Sequence, residues 1–410
     1  MLLGLTGLQF YVAAVIIFAV LYLFTPKKFI WFPFAVLTIL FAVLAYHILP
    51  DIADDLNIYY HHMDVFREMG RDGLRYAINE DWFEWKTFRA SLYYVYIISR
   101  FPNNNFLPAI TILIVYSLSF DVLYKAAKRF KISKGGLFFA SMYVITTFWY
   151  YDVASGTRNG LAFVIAFATA YYHLVEKKNI FICFAGYLCA ALMHSSGIIP
   201  VALVFAALIT KNFKSKFINV LFIFGISGSA ALIEVLASVT DNSFIQSIAG
   251  RAESHGNIDT HLNLSMGSGG GNTMYLVTLV TFFVVLFLIL YFGPNIKKSI
   301  YSEELKTFLQ YSSLTMCFLL GCAFTSTLIF VRFVRWIIPV VGGIYIMVGL
   351  KAQQDNEKKY IEDSFNNNII PKKSLLYRMR PIICVVLTAF MGVSFWYALN
   401  GSSLIFLHLR

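Results

Sequence analysis

The chain has 410 residues, 59% of them hydrophobic and 13% charged, with a mean hydropathy of +0.68. A soluble domain carries about 45–50% apolar and about 25% charged residues, so lipid must cover the surplus and a water-soluble multidomain protein is excluded. The net charge of +11 would point to nucleic acid in a soluble chain. Here it points to Lys and Arg held on one side of a membrane, and no nucleic-acid partner is expected.

A bilayer core about 30 Å thick needs about 20 apolar residues of helix. About twelve runs approach that requirement: 2–24, 29–49, 106–124, 136–151, 158–175, 180–193, 197–210, 217–238, 273–292, 307–330, 333–350 and 381–398. The first has no basic residue before it and Lys27-Lys28 after it, so it reads as a span and not as a cleaved leader. The expected fold is all-α, a polytopic integral membrane protein formed as one transmembrane domain, because lipid leaves no unpaired backbone group tolerable.

The connections alternate in charge. Lys27-Lys28, the Lys125–Lys134 cluster, Lys177-Lys178, Lys211–Lys216, Lys297–Lys306 and the 351–380 segment hold most of the 33 basic residues. The positive-inside rule makes these cytoplasmic and puts both termini outside a bacterial inner membrane. The segment 50–105 is acidic and aromatic and faces outward with short helices of its own. Residues 239–272 form a second outer loop, and 351–380 reads as a polar cytoplasmic linker. The five cysteines lie singly in apolar runs with no paired spacing, so neither a disulfide framework nor a metal motif is expected.

Ionisable groups at membrane depth mark function. Arg158, in Ser155-Gly156-Thr157-Arg158-Asn159-Gly160, stands at the head of an apolar helix, where free N–H groups and the dipole already favour an anion. The alternative is an arginine snorkelling to lipid phosphates. His194, in His194-Ser195-Ser196-Gly197, joins two short apolar runs. A helix of 14 residues covers about 21 Å, so the apex should be recessed, with a polar cavity above it. Arg332 and Arg335, spaced i, i+3, share a helical face and suit bidentate binding of phosphate or diphosphate. A Trp–Arg interfacial anchor at Trp336 is the competing reading.

The outer acidic segment offers the complement. Asp54 and Asp55 are placed to take a proton from a hydroxyl, and Asp152 precedes Arg158 by six residues. Tyr59, Tyr60, Trp82 and Trp85 are the ring types that stack on sugars. His61-His62-Met63-Asp64 has no third ligand fixed by spacing, so no metal and no cofactor is expected.

Three stretches carry a resemblance: Asp54-Asp55-Leu56-Asn57-Ile58-Tyr59-Tyr60, Ser155–Ala162, and Ala191-Leu192-Met193-His194-Ser195-Ser196. In these the chain resembles the EpsG-like family of polytopic exopolysaccharide and O-antigen polymerases (Wzy-type). Asn159 stands where that family more often has Gln. The resemblance implies a membrane glycosyltransferase, of a GT-C-like fold, that joins repeat units carried on undecaprenyl diphosphate. Arg158, Arg332 and Arg335 would hold diphosphate, Asp54 or Asp55 would be the base, and His194 would be a second base or a diphosphate contact. Its partners would be the lipid-linked glycan, membrane lipid and a chain-length regulator protein. A lipid-linked oligosaccharide flippase and a membrane acyltransferase using His194 are the rival readings.

Overall fold

The computed structural model describes residues 6–48, 50, 55–80, 85–212, 217–223, 270–325, 327–366 and 375–401. Among these residues every regular element is a helix. The chain divides into two compact units, residues 1–199 with 370–410, and residues 200–369.

The first unit contains α1 (Gly7–Phe24), α2 (Trp31–Tyr46), α3 (Asp55–Met69), α4 (Arg71–Asn79), α5 (Arg89–Ile98), α6 (Phe106–Arg129), α7 (Lys134–Thr147), α8 (Tyr150–Ser155), α9 (Asn159–Leu174) and α10 (Ile180–Met193). A short 3-10 turn, Ser195–Gly197, leads into α11 (Ile198–Thr210). Thr6 caps α1, accepting from the Gln9 amide while the Gln9 side chain returns to the Thr6 amide, which satisfies two otherwise orphaned donors. Tyr11, Phe41, Tyr116, Phe148 and Tyr150 form an aromatic core across α1, α2, α6 and the α7–α8 join. The Tyr150 hydroxyl donates to the Phe41 carbonyl at 2.6 Å.

Two tyrosines fix the pairing of α1 with α7. Tyr11 Oη donates to the Ile145 carbonyl at 3.2 Å and Tyr22 Oη to the Lys134 carbonyl at 2.9 Å, so these helices run antiparallel. At the far end of α9 the Tyr172 hydroxyl donates to Asp121 of α6, and Lys125 lies over the Tyr172 ring at 4.4 Å. The C-terminal ends of α6 and α9 are therefore together, and the two helices run parallel. This is the up-and-down order that the alternating charges imply.

Helix α9 is buried on nearly every side, with Gly160, Ala162, Ala166, Ala168 and Ala170 among its covered residues. Small side chains let helix backbones approach where lipid removes the hydrophobic drive for association. Gly186 of α10 shows how close the approach is, since a Cβ there would meet Thr169 Cγ2 at 3.0 Å.

The second unit contains α12 (Gly270–Lys298), α13 (Ser302–Thr325), α14 (Thr327–Trp336) and α15 (Ile338–Asn366). Helix α16 (Leu375–Gly401) returns to the first unit and packs on α7, with Phe390 near Tyr143. Phe330 packs between Tyr275 and Phe282, and Phe318 against Phe333. The axis bends by 43° between Ile329–Trp336 and Ile338–Ser364. Pro339 lies just past the break; its ring removes an N–H and crowds the preceding turn.

Among the described residues four helices are long and apolar enough to cross a bilayer, Gly7–Phe24, Lys27–Tyr46, Phe106–Arg129 and Tyr275–Lys298, and the bent pair, counted as one span, makes a fifth. Ile180–Met193, Ser195–Thr210 and Met379–Phe395 are shorter apolar helices. Other runs expected to span are helical but shorter or interrupted. The stretch 136–151 parts into α7 and α8, where the Thr146 and Thr147 hydroxyls turn back onto the Met142 and Tyr143 carbonyls and Phe148 and Trp149 are extended. Most of 217–238 lies outside the described residues, as does the outer loop from 239 to 269.

The segment 351–380 departs from the expected linker. Helix α15 continues through it to Asn366. Lys351 and Asp355 pair at 2.5 Å one turn apart, Tyr301 donates to Asp355 at 3.1 Å, and Asn356 donates to the Asn295 carbonyl at 2.9 Å. Its Lys, Gln and Glu residues are good helix formers, so the polar stretch up to Asn366 is helical, and its first turns dock on Tyr301 and Asn295.

Candidate functional site

The head of α9 is where polar groups converge in the first unit. Helix α8 ends at Ser155, and the turn is closed by Gly156 N–H to the Asp152 carbonyl at 2.8 Å and Gly160 N–H to the Gly156 carbonyl at 2.7 Å. Arg158 occupies the N-cap position, and no side chain caps the helix there. The first-turn N–H groups are thus the partial positive charge of the helix end, and the Arg158 guanidinium adds to it. Thr157 is fully buried, and its hydroxyl has no hydrogen-bond partner among the described residues.

The end of α10 docks onto this turn. Ser196 Oγ lies 2.7 Å from His194 Nδ1 and 3.3 Å from Asn159 Oδ1. The Ser196 N–H also donates to His194 Nδ1 at 3.1 Å. A ring nitrogen that accepts a backbone N–H carries no proton, which places the His194 proton on Nε2 as this network assigns it. Phe88, just ahead of α5, stacks on the His194 ring at 5.7 Å with an interplanar angle of 16°. Gly197 is required by the contact: a Cβ would approach Ala162 Cβ at 3.1 Å and the Ala190 carbonyl carbon at 2.9 Å.

Helix α3 supplies the third wall. Leu56, Tyr59, His62, Met63 and Phe66 are its buried residues, a pattern of helical period. His62 meets the edge of Trp85 at 4.8 Å, and Trp85 packs in turn on Phe66 at 5.4 Å. Burial, the neighbouring His61 and the Arg158 guanidinium hold His62 down to about 4, so it is a neutral imidazole beside a cation at ordinary pH. The asparagines ahead of α6 clamp α3 from outside. Asn104 Nδ2 donates to Asp64 at 2.9 Å, Arg67 donates to Asn104 Oδ1 at 2.7 Å, and Tyr60 donates to Asn105 at 3.3 Å.

Arg158 and His194 stand on the two elements that dock, and the Asn159–Ser196–His194 chain joins them. Asp55 is exposed at the first residue of α3, seven residues before His62 and so on nearly the same helical face. Asp152 is half-buried on α8, its carbonyl closing the turn before Arg158. Asp54 and Trp82 lie outside the described residues.

Two aromatic expectations need correction. Trp85 has no exposed surface, and Tyr59 is only 2% exposed. Both fill the space under α3 and offer no face to a sugar; Tyr60 is half-buried with its hydroxyl engaged on Asn105. Arg332 and Arg335 are half-buried in the second unit on α14, between the buried residues Phe330, Phe333, Val334 and Trp336. Arg335 lies in the last turn of α14, where a cation complements the helix dipole.

His62, Asn159, Ser196, Thr157 and Phe88 were not singled out from sequence as site residues. A signal existed for His62 in its i+7 spacing from Asp55, and for Ser196 in the hydroxyl pair after His194. None existed for Phe88, which reaches His194 only through the packing of α5 on α10.

With every regular element among its described residues a helix, four or five segments there fit to cross a bilayer and a half-buried cationic turn in the first unit, the molecule is a polytopic all-α membrane protein. The chain matches the EpsG family over residues 30–361 and belongs to that family, which points to a role of polysaccharide-polymerase type. No curated protein and no solved structure matches it.

Proposed function

We propose that this protein joins oligosaccharide repeat units carried on undecaprenyl diphosphate, at the outer face of the bacterial cytoplasmic membrane. The anomeric carbon of the growing glycan forms a bond to a hydroxyl of the incoming repeat. Its bond to the lipid diphosphate oxygen breaks, the hydroxyl proton passes to a base, and the diphosphate leaves with the bonding electrons. Negative charge therefore develops on the leaving group, and preorganised donors at that point lower the barrier.

The observation that carries this reading is the convergence on Arg158. An arginine at a helix head that no side chain caps, with an Asn159–Ser196–His194 chain beside it and a neutral His62 that feels its charge, is a setting for an oxygen anion. His194, with its proton on Nε2, serves as a donor to the diphosphate or to the acceptor sugar in this arrangement. Asp55, exposed at the start of α3, is then the proton acceptor, with Asp54 beside it in sequence. Tyr60 and Asp152 are left as the glycan contacts.

The test is Arg158→Ala in a host that displays the polymer. Long chains should collapse to single repeats while lipid-linked units still reach the outer face. Normal chain length at comparable protein level would defeat the diphosphate role, and loss of outer-face repeat units would favour a flippase.

A further inference from the structure

At the opposite end of α6 from its junction with the α5 segment, the first unit contains a cavity of about 470 Å³ that the polymerase reading does not use. Its lining includes Lys27, Lys28, Lys128, Lys131 and Lys134, over an apolar floor to which Tyr22 and Leu137 contribute, and no carboxylate lines it. The volume falls within the about 300–1,000 Å³ of small-molecule sites.

Three local features build it. Lys134 Nζ donates to the Leu23 and Thr25 carbonyls at 2.8 Å each, closing the C-terminal end of α1, so this lysine is structural. Helix α6 ends in a Schellman turn, with Ile132 N–H to the Ala127 carbonyl at 2.9 Å and Lys131 N–H to the Lys128 carbonyl at 3.4 Å. Lys131 occupies the left-handed position of that turn with φ 51°, where glycine is the usual residue. A lysine there sets a cation on the cavity wall at a site that costs a side-chain residue backbone strain.

The surroundings decide what kind of anion fits. Leu23, Phe24, Phe29, Trp31 and Phe32 are all exposed beside Lys27 and Lys28, so the cationic rim borders an apolar surface. We infer that this cavity binds the phosphate headgroup of an anionic phospholipid, with the acyl chains against that exposed ring of residues. A free phosphate compound would satisfy the lysines and leave the apolar border without a role. The inference stands on the cavity alone and survives failure of the polymerase reading.

The test is native mass spectrometry of the purified full-length chain with phosphatidylglycerol, phosphatidylcholine or inorganic diphosphate added. Retention of phosphatidylglycerol over phosphatidylcholine is expected. The double variant Lys128→Gln/Lys131→Asn, in which Asn tolerates the left-handed backbone, should lose at least about tenfold in that retention. The pair Lys358→Gln/Lys359→Gln, exposed on α15 in the other unit, should lose none. Undiminished retention in the double variant, or equal retention of phosphatidylcholine, overturns the site. Retention of inorganic diphosphate without retention of phosphatidylglycerol shows a free-phosphate site and overturns the lipid assignment. If the double variant does not fold, a photoactivatable phosphatidylglycerol on the wild type decides: cross-links must include the 124–134 stretch, and cross-links found only elsewhere contradict the inference.

Discussion

The two cationic ends of the first unit are built in opposite ways. At the head of α9 one arginine is half-buried among fixed neighbours, with the Ser196 turn locked by Gly197 and His194 held by Phe88. At the far end of α6 four lysines are exposed around an open cavity, and only Lys134 is tied into the fold. Arginine in a rigid setting loses little on binding and reads oxygen geometry, whereas lysine is a hydrated point charge on a mobile stem. The first arrangement suits one transition state; the second suits many headgroups. Charge alone would rank the lysine end higher, and rigidity reverses that order for catalysis.

Substitutions at each end put this contrast to the test. The largest effect is expected from Asp55→Asn, which removes the proposed proton acceptor and should slow polymer formation by about 10²–10⁴-fold without reducing protein level; a ladder of ordinary length would remove Asp55 from the proposed mechanism. Next comes a pair of glycines. Gly197→Ala should cost about 1–3 kcal/mol through overpacking and lower activity with it, because the new methyl meets Ala162 and the Ala190 backbone. Gly135→Ala, beside the lysine cavity with open space around it, should be neutral or stabilising by about 0.5–1 kcal/mol through helix propensity. Thermal melting of the two variants in one detergent compares the rigidity of the two ends directly.

A smaller effect concerns pH. His62 is held near 4 in the folded chain, below the ordinary value of about 6.5, so the unfolded state binds more protons between those values and stability rises with pH there. The packing of α3 should be at full strength above about pH 6.5 and weaken as pH falls toward 4. Hydrogen exchange of α3 amides would show this, and His62→Phe should flatten the dependence. Smallest is Lys134→Gln, which loosens the end of α1 by about 0.3–1 kcal/mol; exchange near Leu21–Thr25 would rise while polymer length stays unchanged.

The helical membrane character was legible because apolar runs and alternating lysines are properties of the chain itself. Arg158 and His194 stand out in the sequence as candidates because a polar residue inside an apolar run is costly wherever it packs. The neighbours that pack around them do not. Ser196 and Asn159 meet across 37 residues, and His62 meets Trp85 only after α3 and α5 pack. Trp85 shows the opposite failure: beside acids in an outer segment it reads as a sugar platform, but its ring fills the space beneath α3. Helix α15 shows another, because the same polar residues suit a solvated linker and a docked helix, and only partners such as Tyr301 and Asn295 decide between them.

The most direct test of the central claim is the reaction of purified protein with a defined undecaprenyl-diphosphate-linked repeat. Wild-type protein should lengthen the glycan and release one undecaprenyl diphosphate for each new linkage. Arg158→Ala should fall by about 10²–10³-fold, and Arg158→Lys should recover part of that loss because it keeps the charge without the planar fork. Elongation by Arg158→Ala at the wild-type rate would contradict the account.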